Sequence, residues 1–180
     1  MSHYECKICL RPYQYCECDQ KQTNNEVKMT TLFDLLKFEE GYRAYPYICS
    51  EGYPTVGIGT KIGPKGASLD NYLFTVSKNV AKAMLEDDVQ KVIECLARAE
   101  WYIYLNKDRQ IIIQSMVYQM GSLGVAKFKN MIAALSAKDW QRAHDEALDS
   151  LWARQTPERA KRHAQVLLNG DLMEVYKGLI

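Results

Sequence analysis

Glu40-Gly41-Tyr42-Arg43, followed by Gly52-Tyr53-Pro54-Thr55-Val56-Gly57-Ile58-Gly59, marks the change of texture that decides the fold. Ahead of it, Leu32, Phe33, Leu35, Leu36 and Phe38 keep helical spacing, with Thr31 and Asp34 in a capping-box-like start. Gly41 suits the left-handed residue that ends such a helix, which leaves Glu40 in its last turn. From Tyr42 to Thr60, aromatic and β-branched residues mix with Pro46, Gly52, Pro54, Gly57 and Gly59. That mixture predicts a small twisted β-sheet with tight turns.

Beyond a loop at Pro64 and Gly66, the chain reads as helical from Ser77 onward. Ser77 to Glu100 contains no Gly or Pro and suits a strut between two lobes. Ile111, Ile112, Met116, Val117 and Met120 predict an apolar helix ending at Gly121. Trp140, Ala143, Ala147 and Leu151 follow helical spacing after a cap at Asp139. Thr156-Pro157 forms an N-cap and N1 pair, and Gly170 ends that helix. The fold class is therefore α+β, with a small sheet lobe and a helical lobe.

The 180 residues are 47% hydrophobic and 25% charged, which excludes disordered and collagen-like chains. Lys and Arg number 23 against 22 Asp and Glu, so no global field draws the chain to nucleic acid or an anionic surface. No apolar run approaches the roughly 18 to 20 residues of a membrane helix, so no membrane insertion is expected. The polar start, Met1-Ser2-His3-Tyr4-Glu5-Cys6, lacks the apolar region of a secretory signal. A cytosolic origin is expected, with any work outside the cytosol depending on release by something else.

Six cysteines lie at positions 6, 9, 16, 18, 49 and 95. The first four divide the chain into a cysteine-rich head over 1–18, a polar linker over 19–28 and a main domain over 29–180. Cys6, Cys9, Cys16 and Cys18 form a CxxC…CxC set able to complete a tetrahedral zinc shell, which would be structural. A reduced tail and iron–sulfur ligation are the other readings of the same four thiols.

A carboxylate at a helix C-terminus faces the negative end of the macrodipole, which disfavours its ionised form and suits a general acid. Taken alone, Glu40 reads as a solvated helix-end residue ahead of a catalytic one, and Glu39 beside it shows how common acidic residues are here. The wider frame is more specific. Glu40, Cys49 and Thr55 in the EGYR…EGYPTVGIG setting resemble the T-even phage lysozymes, the phage endolysin muramidases. Met116-Val117-Tyr118-Gln119-Met120-Gly121, Gly124-Val125-Ala126-Lys127-Phe128 and Gln155-Thr156-Pro157-Glu158-Arg159-Ala160-Lys161-Arg162 are similar to that family's helical-lobe signatures. The resemblance covers roughly Thr31 to Leu179.

It implies a two-lobed lysozyme-like fold joined by a long helix, and hydrolysis of the β-1,4 bond between N-acetylmuramic acid and N-acetylglucosamine in peptidoglycan. Glu40 matches the catalytic acid and Thr55 the threonine that helps hold the attacking water. Arg159 matches an arginine that pairs with the catalytic glutamate. Tyr118 occupies an aromatic cleft-lining position, with Gln119 beside it. Cys49 stands where the family's usual second catalytic residue is aspartate, so a water-positioning or thiolate-base role is implied for it. Thr60 replaces a histidine that forms a structural ion pair.

Three wider implications follow from the resemblance. No cofactor is required for catalysis. The chain acts as a monomeric endolysin on bacterial peptidoglycan, with no nucleic-acid partner. It waits in the host cytoplasm until a holin permeabilises the membrane, then works in the periplasm. An inactive wall-binding protein of the same fold, a virion-associated lysozyme and a metal-dependent nucleic-acid adaptor carried by the head are the competing readings. Arg154, Arg159, Lys161 and Arg162 outnumber Glu158 between Trp152 and His163, which suggests either a basic patch for an anionic wall polymer or a solvated face.

Overall fold

The computed structural model describes residues 32–180. The head over 1–18, the linker over 19–28, the four head cysteines and the Thr31 cap therefore lie outside the described residues. Helix α1 spans 32–40 and ends as expected. Gly41 adopts φ +70° and its N–H donates to the Lys37 carbonyl at 3.0 Å. A side chain with Cβ disfavours that conformation, so the glycine stops the helix one residue after Glu40.

Strands β1 (Arg43–Ile48), β2 (Pro54–Gly57) and β3 (Thr60–Lys61) form an antiparallel sheet in the order β1-β2-β3. Tyr47 pairs with Thr55, while the register shifts before Arg43 meets Gly57. A turn at Cys49–Gly52 closes the first hairpin, with the Gly52 N–H donating to the Cys49 carbonyl at 2.8 Å.

Helix α2 (Lys78–Leu96) starts at Ser77, whose hydroxyl accepts from the Val80 N–H at 3.3 Å. Its buried positions, Ala81, Leu85, Val89 and Leu96, make one stripe. That stripe packs against β2 and β3 as well as α4, so the helix joins the sheet to the helical lobe. After α2 come the short α3 (Glu100–Ile103) and the long α4 (Lys107–Val125). Residues 111–117 of α4 are buried all round, because this helix runs through the middle of the helical lobe. Gly121 interrupts its regular backbone, and a further turn continues beyond the expected end.

Helices α5 (Lys129–Ser136), α6 (Trp140–Leu148), α7 (Leu151–Gln155), α8 (Pro157–Asn169) and α9 (Leu172–Tyr176) complete the lobe. Asp139 caps α6 as the sequence predicts, accepting from the Arg142 N–H at 3.1 Å. Leu151 does not share the buried face of Ala143 and Ala147. It opens α7 and is 62% exposed, because Ser150 donates to the Ala147 carbonyl and caps a new helix instead. Thr156 precedes Pro157 at the start of α8, but its hydroxyl donates back to the Trp152 carbonyl rather than capping forward. Among the described residues, no helix is long and apolar enough to cross a membrane.

Candidate active site

Two carboxylates end α1, and α8 meets both of them. Arg159, Arg162 and His163 fall on one face of α8 because they are three and four residues apart. Arg159 Nη1 donates to Glu40 Oε1 at 2.6 Å, and Arg162 donates to both oxygens of Glu39 at 2.8 and 3.1 Å. The Tyr176 hydroxyl also donates to Glu39 Oε1, at 2.7 Å. The Glu39 side chain is 4% exposed with both oxygens engaged, so it joins α1 to α8 and α9.

Glu40 is different. Its side chain keeps 20% exposure, and among the described residues Oε2 receives no hydrogen bond. That oxygen lies towards Gly59, where an added Cβ would come within 3.4 Å of it. Glu40 thus has one oxygen held by a cation and the other turned to the sheet lobe. The helix-end field expected from sequence is met by a guanidinium that is itself only 6% exposed. Arg159 is held from behind, its Nη2 donating to Ser115 Oγ at 2.9 Å and the Ser115 carbonyl at 3.3 Å.

The second group sits at the hairpin tip. Cys49 is half-buried, with Thr55 buried in β2 beside it. Burial pushes the Cys49 thiol up, but hydrogen bonds from the Tyr53 backbone, the Thr55 hydroxyl and the Glu51 backbone outweigh it. The nearby Glu51 carboxylate opposes them, and the net effect lowers the pKa below its ordinary value. The Thr55 hydroxyl has one proton for two acceptors, since it also lies 3.0 Å from the Tyr53 carbonyl.

Tyr47 connects the two groups. Burial raises its phenol pKa, the Glu40 carboxylate raises it further, Arg43 opposes, and Cys49 adds to the rise. One ring therefore feels the charge of both Glu40 and Cys49. Tyr118 closes the other side: its hydroxyl donates to the Ile58 carbonyl, tying α4 to the β2–β3 turn, and its ring edge lies against Gly59.

A groove of about 1100 Å³ runs between the hairpin tip and the helical lobe. Ser50, Glu51 and Tyr53 line one wall, and Gln119, Trp152 and Thr156 line the other. Gln119 Oε1 accepts from Trp152 Nε1 at 2.8 Å, so the amide is fixed on that wall. Of the residues predicted from sequence, Gln119 lines the groove directly. Cys49 adjoins it between Ile48 and Ser50, and Glu40, Thr55, Tyr118 and Arg159 lie outside its lining.

Three further expectations meet the structure here. Of the cations of 152–163, Arg159 and Arg162 turn inward onto Glu40 and Glu39, Lys161 pairs with Glu158 at the surface, and Arg154 is exposed. At Thr60, where the resemblance put an ion pair in doubt, the hydroxyl donates to Asp88 Oδ2 at 3.2 Å. Among the described residues, no cluster of three or more His, Cys, Asp or Glu could hold a metal ion, and the four head cysteines lie outside that set.

Sequence reading did not single out Ser115, Tyr47, His163 or Tyr176. The i, i+3, i+4 spacing of Arg159, Arg162 and His163 was the available signal for His163.

Several known proteins share this chain's sequence pattern. It is 32% identical to the pre-baseplate central spike protein Gp5 of Enterobacteria phage T4, over 79% of this chain and 28% of that protein. It is 28% identical to the probable T4-type lysozyme 2 of Dictyostelium discoideum, over 81% of this chain and 98% of that one. It is also 28% identical to the endolysin of Salmonella phage P22, over 65% of this chain and 77% of that one. The chain thus spans little more than a quarter of the spike protein but nearly all of the Dictyostelium relative. The description Phage lysozyme matches residues 37–175, from the turn that carries Glu40 into the last helix. Every element that shapes the groove falls inside that match, and the chain belongs to the phage lysozyme family.

Proposed function

We propose that this chain is a muramidase that hydrolyses the β-1,4 bond between N-acetylmuramic acid and N-acetylglucosamine in bacterial peptidoglycan. The observation that carries the reading is the division of labour at Glu40, with Oε1 on Arg159 and Oε2 facing the sheet lobe that bears Cys49 and Thr55. In its protonated form Glu40 gives the Oε2 proton to the glycosidic oxygen as the anomeric C–O bond breaks. A water held by the Thr55 hydroxyl attacks the anomeric carbon, and the Cys49 thiolate takes the proton that water loses. The turn amides that lower the Cys49 pKa favour the thiolate this step needs. Gln119, fixed by Trp152, offers an amide N–H₂ to the sugar or its substituents along the groove wall.

The reaction needs no cofactor, and zinc on the head cysteines would serve that segment's folding alone. The biological reading is an endolysin that reaches the wall from the host cytoplasm once a holin has opened the membrane. Similarity to the T4 spike protein supports a second reading, a lysozyme carried in the virion. Incubating purified protein with purified peptidoglycan and analysing the released muropeptides tests the chemistry. New reducing ends on N-acetylmuramic acid, absent with Glu40→Gln, are expected; intact glycan strands would overturn it. Finding the chain in purified virions would favour the second biological reading.

A further inference from the structure

Behind Arg159 runs a line of buried hydrogen bonds whose direction can be worked out proton by proton. The Tyr176 hydroxyl lies 2.7 Å from Glu39 Oε1 and 2.8 Å from His163 Nδ1. Glu39 is held by Arg162 and accepts only, so the single phenolic proton goes to the carboxylate. Nδ1 must then carry a proton and donate it to the Tyr176 oxygen. A neutral imidazole protonated at Nδ1 leaves Nε2 as an acceptor, and Nε2 lies 3.0 Å from Ser115 Oγ. Ser115 therefore donates to Nε2, which turns its lone pairs to Arg159 Nη2 at 2.9 Å. Every bond points one way, from the guanidinium on Glu40 to the carboxylate of Glu39.

The surroundings keep the ring neutral. His163 is fully buried, faced by Ser115 from α4, Tyr176 from α9 and the Trp152 ring of α7 with centroids 5.8 Å apart. The charged groups nearest it are Arg159 and Arg162 on its own helix, with Glu39 of α1 beyond Tyr176. Burial lowers its pKa well below the ordinary value, and the two guanidiniums lower it further. A second proton on Nε2 would force the Ser115 oxygen to accept from two cations at once.

We propose that His163 is a positioning residue: as the Nδ1–H imidazole it orients Ser115 and so holds Arg159 on Glu40. Its kinetic consequence rests on the muramidase reading, but its structural consequence does not.

The full chain labelled with ¹⁵N tests both. The His163 ring is expected to show a protonated Nδ1 and an unprotonated Nε2, and the Arg159 guanidinium to give slowly exchanging signals that His163→Leu broadens. On peptidoglycan, His163→Leu is expected to lower kcat about tenfold, the scale of a small misplacement of a reacting group, with KM little changed. His163→Gln keeps an acceptor for Ser115 and is expected to recover most of that loss. His163→Asn reaches towards Tyr176 instead and should behave like leucine. A protonated Nε2, or equal activities for Gln, Asn and Leu, would overturn the proposal. Should leucine unfold the chain, the other two variants carry the test: Arg159 signals that stay sharp in His163→Gln and broaden in His163→Asn support the proposal, and equal signals overturn it. If wild-type protein leaves peptidoglycan intact, the muramidase reading fails, while the nitrogen signals still decide this one.

Discussion

Glu40 and Arg159 are 119 residues apart in the chain and 2.6 Å apart in space, and the pair joins the end of α1 to the first turn of α8. Removing either end has distinct consequences. Glu40→Gln keeps an oxygen for Nη1 but cannot donate a carboxylic proton. Hydrolysis is expected to fall by at least about 10²-fold, with a melting temperature near wild type. Arg159→Met leaves Glu40 without its cation and is expected to cost about 2 kcal/mol. That is below the cost of breaking a fully buried pair, because Glu40 is partly solvated. Urea titrations beside turnover assays separate the two effects.

Cys49 is the group proposed to take the proton from the attacking water. Cys49→Ala is expected to lower kcat about tenfold or more, and Cys49→Asp to restore it. The pH profile carries a sign: with the pKa lowered, the thiolate limb of activity should rise with pH and level off below the ordinary thiol value of 9.0. Iodoacetamide should inactivate wild type and spare Cys49→Asp under the same conditions, which discounts alkylation at exposed Cys95. An unchanged rate in Cys49→Ala would remove the thiol from the chemistry.

His163 also makes stability depend on pH. Burial first, then Arg159 and Arg162, hold its folded pKa well below 6.5. Unfolded chain therefore binds a proton near pH 6.5 that folded chain refuses. Stability from this group is full above that pH and declines as pH falls towards the folded value. The slope is at most about 1.4 kcal/mol per pH unit for one proton. Urea midpoints measured from pH 7.5 to 5 should fall for wild type and fall less for His163→Gln.

Gly170 ends α8 at φ +76°, and an added Cβ would come within 2.5 Å of Arg109 Nη1. Arg109 donates to the Leu167 and Leu168 carbonyls at 2.8 and 2.9 Å, so it serves the open end of that helix. Gly170→Ala is expected to cost about 1–2 kcal/mol through backbone strain and displacement of that guanidinium. Thermal melting checks it, and a value unchanged from wild type would refute both causes.

Much of this architecture was legible because local chemistry decided it. Gly41 and Gly170 mark helix ends through backbone conformation, and Asp139 and Ser77 mark helix starts, all within a few residues of sequence. Glu40, Cys49 and Thr55 stood out as candidates only through the motif around them. The partners of Glu39 were not, because Arg162 and Tyr176 are brought to it only by packing α8 and α9 on α1. Leu151 was misplaced for a related reason: periodicity continues through Asp149-Ser150, but a serine that bonds backwards restarts the helix. The basic run at 154–162 reads as a surface until the fold turns two of its arginines inward.

The donors that acidify the Cys49 sulfur all come from residues 51–55, inside its own hairpin. That acidity is a property of a few neighbouring residues and should persist in homologues or chimaeras whose distant regions differ. Glu40 has the opposite dependence, since its cation arrives from the far end of the chain. Damage to the helical lobe would therefore leave a nucleophilic sulfur on display while disarming the carboxyl. Heat-stressed or truncated samples should lose lytic power well before they lose their appetite for electrophiles.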